Sequence, residues 1–125
     1  MDTQARQDGL GGQVVSGVTE ITDLETFYGL AQRDRLYICF ADADWCGPCR
    51  VLRARYSRLA SDYAGHELFH RFDVDVVPEV AQALHVQMLP TTFVYRNGEP
   101  LDWPWPGAPG PATQEEYRAW IDRHL

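Results

Sequence analysis

Trp45-Cys46-Gly47-Pro48-Cys49 sets two thiols one helical turn apart. The apolar run Leu36-Tyr37-Ile38-Cys39-Phe40-Ala41 precedes them and reads as a strand, so Cys46 falls at the amino end of a helix. Unpaired backbone N–H groups and the helix dipole favour thiolate over thiol at that position. Cys49 lies close enough to attack a mixed disulfide formed at Cys46. Two-electron thiol–disulfide exchange needs this pair: an accessible nucleophile of lowered pKa and a second thiol that resolves the intermediate. The competing chemistry is half of a structural zinc site. Zinc takes four ligands, and His66, His70, His85 and His124 are scattered without paired spacing.

The elements that must position the thiols follow from periodicity and punctuation. Val14 to Val18 reads as a weak first strand. Thr22 or Asp23 caps a helix whose Leu24, Phe27, Tyr28 and Ala31 share one face. A second strand runs from about Arg35 to Ala41. Leu52, Tyr56, Leu59, Ala60 and Tyr63 form the apolar face of a long helix after the cysteines. Leu68 to Val74 is a third strand, and Pro78 opens a short helix to about Leu84. Thr91 to Arg96 and Glu99 to Trp105 flank Asn97-Gly98, a two-residue hairpin signal. Thr113 and Glu116 form a capping box ahead of Tyr117, Trp120, Ile121 and His124. The order βαβαβαββα predicts an α/β fold, a mixed sheet with helices on both faces.

Composition narrows the classes. The 125 residues suit one domain with a real core, expected at 18–125 behind a flexible tail at 1–17. A net charge of −7 argues against general nucleic-acid binding, which works by neutralising phosphates. All 11 basic residues are arginine. Three cysteines do not make a secreted disulfide framework. No apolar segment approaches the ~20 residues needed to span a bilayer, and Met1 to Ser16 lacks the apolar core of a secretory signal. No membrane association is expected, and a reducing, cytoplasmic compartment is.

The motif and this order resemble thioredoxin. WCGPC matches that family's active-site pentapeptide, Asp73-Val74-Asp75 ends the third strand, Leu89-Pro90-Thr91 precedes the fourth, and Arg96-Asn97-Gly98-Glu99 resembles the family's charged turn. The resemblance spans roughly residues 18 to 125. It implies a thioredoxin fold and a protein-disulfide reductase, with Cys46 as nucleophile and Cys49 as resolving thiol. Pro48 restrains the turn, Gly47 leaves the site open, and Trp45 offers an apolar surface to an incoming polypeptide. By the same resemblance Pro90 is cis against the disulfide, Leu89 presents its backbone to substrate, and Gly107-Ala108 forms a further substrate-contacting loop. The implied partners are disulfide-bearing proteins and a thioredoxin reductase (flavin- and NADPH-dependent) or equivalent electron donor. The domain itself needs no cofactor, and a monomer is expected. The alternative is a thioredoxin-fold binding or assembly module in which redox turnover is secondary.

Two departures from that family bear on mechanism. Six residues before the nucleophile, where thioredoxins usually carry a buried Asp, stands Phe40, or Cys39 if a one-residue bulge intervenes. The family's lysine partner corresponds to Arg71, which cannot release its proton. Asp42 or Asp44 could substitute, although Asp44 reads as a solvated surface residue. The other departure is Pro100-Leu101-Asp102-Trp103-Pro104-Trp105-Pro106. Its prolines lack amide hydrogens on one side, which fits an edge strand barred from outside pairing, with Leu101, Trp103 and Trp105 bonding inward. A polyproline-II partner site is the alternative, and Trp103 and Trp105 read as core. Cys39 reads as a buried, inert thiol. Arg50, Arg53, Arg55 and Arg58 read as a solvated helix face, with Arg50 near enough to Cys46 to favour its thiolate.

Overall fold

The computed structural model describes residues 14–15, 17–103 and 113–125. Among the described residues ten elements follow one another: β1 Val14–Val15, β2 Val18–Glu20, α1 Leu24–Ala31, β3 Tyr37–Asp42, α2 Gly47–Ser61, β4 Phe69–Asp73, α3 Pro78–Ala83, β5 Thr91–Arg96, β6 Glu99–Pro100 and α4 Gln114–His124. They build one mixed sheet in the order β1-β2-β4-β3-β5-β6. β2, β4 and β3 run parallel, β5 is antiparallel to β3, and β6 is antiparallel to β5. This is the expected α/β thioredoxin architecture with one short strand added.

β3 lies at the centre and is buried at all six positions, which explains why it reads as an unbroken apolar run. Its alternate residues feed two cores. Ile38 and Phe40 pack with Tyr56 and Leu59 of α2 and Tyr117, Trp120 and Ile121 of α4. Tyr37, Cys39 and Ala41 pack with Phe27 and Leu30 of α1 and Val80 of α3. β3 and β4 pair residue for residue from Ile38↔Phe69 to Asp42↔Asp73. No inserted residue interrupts that register, so the position six before Cys46 is Phe40, and Cys39 points to the opposite core.

Local chemistry sets the element ends. Asp23 caps α1 by accepting the Thr26 amide at 2.7 Å. The helix buries Phe27, Leu30 and Ala31, whereas Tyr28, expected on that face, is 46% exposed. Both 24/27/28/31 and 27/30/31 are legal helical stripes, and the one keeping the tyrosine hydroxyl in water prevails. The expected single strand from Val14 to Val18 is divided at Gly17 (φ +81°), after which β2 pairs back on β1. A side chain at Gly17 would also come within 3.1 Å of the Ala60 carbonyl oxygen. The Thr113–Glu116 capping box forms with both reciprocal hydrogen bonds.

Asn97 and Gly98 take φ of 54° and 76°, the signature of a tight hairpin turn. Their amides donate to Arg33 O (3.0 Å) and Ala31 O (2.9 Å), so the turn satisfies the last carbonyl of α1, beyond those its own C-cap Gln32 reaches. β6 is shorter than the expected strand to Trp105. Leu101 still donates inward to Val94 O at 2.8 Å, but the Trp103 amide turns back to Leu101 O. The Trp103 ring stacks on Tyr117 and meets Trp120 edge-on, in keeping with a core role. Pro104, Trp105, Pro106, Gly107 and Ala108 lie outside the described residues.

Candidate active site

β3 delivers the chain to α2 through Ala43, Asp44 and Trp45, and Cys46 is the residue that caps the helix. Its backbone is extended (φ −85°, ψ 108°), and its Sγ accepts the Cys49 amide at 3.2 Å. Gly47 and Pro48 fill the first helical positions, where a missing proline amide costs nothing. Cys46 and Cys49 are joined as a disulfide, with their Cα atoms 5.3 Å apart. Ala43, Val74 and Leu89 pack around the pair. Cys49 is completely buried, while Cys46 keeps 5% of its surface and borders a cleft of about 480 Å³.

Trp45, Gly47 and Pro48 line that cleft together with Val74, Ala81, Met88 and Leu89. None of its lining residues is charged. Trp45 and Met88 are 69% and 68% exposed, so the rim presents apolar surface to water. The Trp45 indole N–H donates to Asp75 Oδ2 at 2.7 Å, and the Asp75 amide in turn donates to Asp73 Oδ1 at 2.8 Å. Asp73-Val74-Asp75 therefore fixes the indole beside the cysteines. Leu89-Pro90 is a cis peptide, as the resemblance implied. The structure brings Trp45, Cys46, Gly47, Pro48, Cys49 and Leu89 together.

The third cysteine takes no part. Cys39 is fully buried on the other face of β3, and burial pushes its thiol up to about 12, where it stays protonated. His70 is equally buried, and desolvation holds its ring neutral, with a pKa lowered to about 3.

At the end of β3, one residue before Ala43 of the cysteine cluster, lies a group of charges. Phe40 is an apolar plug stacked on Tyr56 at 4.9 Å. Two residues on, along the same strand face, Asp42 is completely buried. Arg53 Nε reaches its Oδ2 at 2.6 Å, and Arg71 Nη2 its Oδ1 at 2.5 Å. Arg71 also meets Glu20 at 3.2 Å. Burial opposes the charge on Arg71, yet hydrogen bonding to Asp42 more than offsets it and raises the guanidinium above its ordinary value. Arg53 is thus not part of a solvated arginine face, whereas Arg50 and Arg58 are exposed, as is Asp44. A carboxylate closing an apolar strand, with an arginine four residues after Cys49, was the available signal.

Comparison with known proteins agrees with this geometry. The thioredoxin family model matches residues 18–123. The chain is 37% identical over 82 residues to an H-type thioredoxin of Chlamydomonas reinhardtii, covering 66% of this chain and 68% of that one. Among solved structures, thioredoxin from Fasciola hepatica superposes with a TM-score of 0.68 at 28% identity, covering 85% of this chain and 98% of that one. Thioredoxin from Trypanosoma brucei brucei gives 0.70 at 25%, covering 88% and 92%. These likenesses do not favour the binding-module alternative. The chain belongs to the thioredoxin family and is a thiol–disulfide oxidoreductase, a disulfide reductase working through a redox-active cysteine pair.

Proposed function

We propose that Cys46 is the nucleophile and Cys49 the resolving thiol in the reduction of protein disulfides. The observation that carries this reading is the asymmetry of the pair: Cys46 caps a helix and borders an uncharged cleft, while Cys49 is sealed within the helix. The Cys46 thiolate attacks a substrate disulfide, forms a Cys46–substrate bond and expels one substrate sulfur as thiolate. Cys49 loses its proton and attacks Cys46, closing the internal disulfide and expelling the second substrate sulfur. Two electrons pass from the dithiol to the substrate, and the leaving thiolates take protons from water.

Trp45, Gly47 and Pro48 shape one side of the substrate surface, and Leu89 and Pro90 the other, with Leu89 offering its backbone for strand-like pairing. Gly107 and Ala108 are assigned to the same surface from their place in the sequence. A thioredoxin reductase or equivalent donor returns the dithiol. We place the protein in the cytoplasm as a monomer, with residues 18–125 as the catalytic domain and 1–17 as a leading segment whose Val14–Val15 adds β1 to the sheet. Among the described residues no helix is long and apolar enough to cross a membrane.

Limiting iodoacetamide on the reduced protein should label Cys46 first and Cys39 last, by peptide mass spectrometry. Cys49→Ser should accumulate mixed disulfides at Cys46, and Cys46→Ser should abolish insulin reduction. Labelling of Cys49 ahead of Cys46, or trapping at Cys49 in place of Cys46, would reverse the roles.

A further inference from the structure

Resolution of the mixed disulfide requires Cys49, the fully buried sulfur, to give up its proton. Phe40 offers no acceptor below it. Asp42 is the buried carboxylate on that strand face, and each of its oxygens is already engaged by a guanidinium. Glu20, whose side chain is 37% exposed, and Asp73 offset the charge of Arg71, which leaves Asp42 as the ion-pair partner of Arg53 among the described residues.

Arg53 carries its charge toward the thiols. It follows Cys49 by four residues on α2, so both side chains rise from one face of the helix, a turn apart. Ala43, next to its anchor Asp42, packs against Cys46 and Cys49. The Arg53 Nη2 atom is buried and donates to none of the described residues. The side chain as a whole is 31% exposed, and a partly desolvated cation near a thiol favours the thiolate, more strongly where the dielectric is low.

We propose that Arg53 is a positioning residue for the resolving step: held by Asp42, its guanidinium stabilises the Cys49 thiolate that attacks Cys46. The proton passes to water, the Cys46–substrate bond breaks as the Cys46–Cys49 bond forms, and the electron pair leaves on the substrate sulfur. The inference rests on the reading of Cys49 as the resolving thiol. The charged groups on the surrounding elements are Arg50, Arg53, Arg55 and Arg58 on α2, Asp42 on β3, Arg71 and Asp73 on β4, Glu20 on β2, and Asp44 and Asp75 in the flanking loops; Tyr37, Cys39, Tyr56 and His70 on the same elements are buried. Of these, Arg53 joins Cys49's own helix face to the buried carboxylate.

The test is an ultraviolet thiolate titration of Cys49 in the full chain carrying Cys46→Ala, where Cys39, pushed up to about 12, does not interfere. Adding Arg53→Met should raise the Cys49 midpoint by about one pH unit, a tenfold loss of thiolate at neutral pH, and Arg53→Lys should restore most of it. Asp42→Asn should move the midpoint down, because the anion is lost while both cations remain. With Cys46 present, Arg53→Met should slow single-turnover release of substrate about tenfold below pH 8 without slowing mixed-disulfide formation. An unmoved midpoint in folded Arg53→Met would overturn the proposal. If that variant does not fold, a midpoint in Asp42→Asn that rises or stays put does the same. The titration uses no substrate, so failure here is separable from failure of the nucleophile and resolving assignments.

Discussion

His70 should make the stability of this protein depend on pH below neutrality. The imidazole lies in the core, 4.3 Å from the Tyr37 ring, with Nδ1 3.1 Å from the Leu68 carbonyl oxygen. Its Nε2 is buried with no hydrogen-bond partner among the described residues. Burial lowers its pKa to about 3, against 6.5 in an unfolded chain. Between those values the unfolded state binds more protons than the folded one, so stability falls as pH falls. At pH 5 an unfolded histidine has gained about 1.5 log units of protonation free energy that the folded ring forgoes, roughly 2 kcal/mol. That is a large share of the ~5–15 kcal/mol typical of a domain. Urea unfolding of the oxidised protein at pH 7 and pH 5 should show wild type losing about 2 kcal/mol between them and His70→Leu losing only a few tenths. His66, His85 and His124 are common to both proteins and cancel in the comparison. The diagnostic is the difference between the two pH values, not the variant's absolute stability. Equal losses in both proteins would show that His70 is protonated in the folded state and that the burial reasoning is wrong.

Other outcomes can be checked more briefly. Thr113→Ala removes one half of the capping box on α4 and should cost about 1 kcal/mol in urea denaturation, with activity unchanged. Gly98→Ala forces a side chain into φ +76° and should destabilise by about 1 kcal/mol, read as a lower Tm. Asp75→Ala releases the Trp45 indole, so kcat/KM for insulin reduction should fall while Tm barely moves. An unchanged kcat/KM would show that Trp45 holds its position without Asp75.

Much of the site was legible because its signals are short-range. A cysteine following an apolar strand and preceding Gly-Pro is a helix cap and, on the proposed reading, a nucleophile, and both expectations follow from neighbours within five residues. Asn97-Gly98 and Thr113–Glu116 were readable for the same reason, since each encodes its own backbone geometry. The buried ion group was not. Asp42, Arg53 and Arg71 come from a strand, a helix and a neighbouring strand; the parallel register brings Arg71 to Asp42, and packing of α2 on the sheet brings Arg53. Arginines spaced along a helix look alike on paper whether they face water or a carboxylate. The choice between Phe40 and Cys39 also required the ladder, because a bulge is a property of two strands. Tyr28 shows the limit of periodicity: two overlapping stripes satisfied it, and packing chose between them.

The hairpin turn that closes the end of α1 bears on how the chain matures during synthesis. Asn97 and Gly98 supply hydrogen bonds to Arg33 and Ala31, more than sixty residues upstream. A nascent chain leaving the ribosome exposes that helix, capped locally by Asp23 and Gln32, long before the turn that binds its last carbonyl exists. Vectorial synthesis can thus assemble β2, β3 and β4 side by side while α1 stays unsealed, and emergence of the turn locks it. A stalled chain ending before residue 97 should exchange the amides of α1 rapidly, and one extended past the turn should protect them.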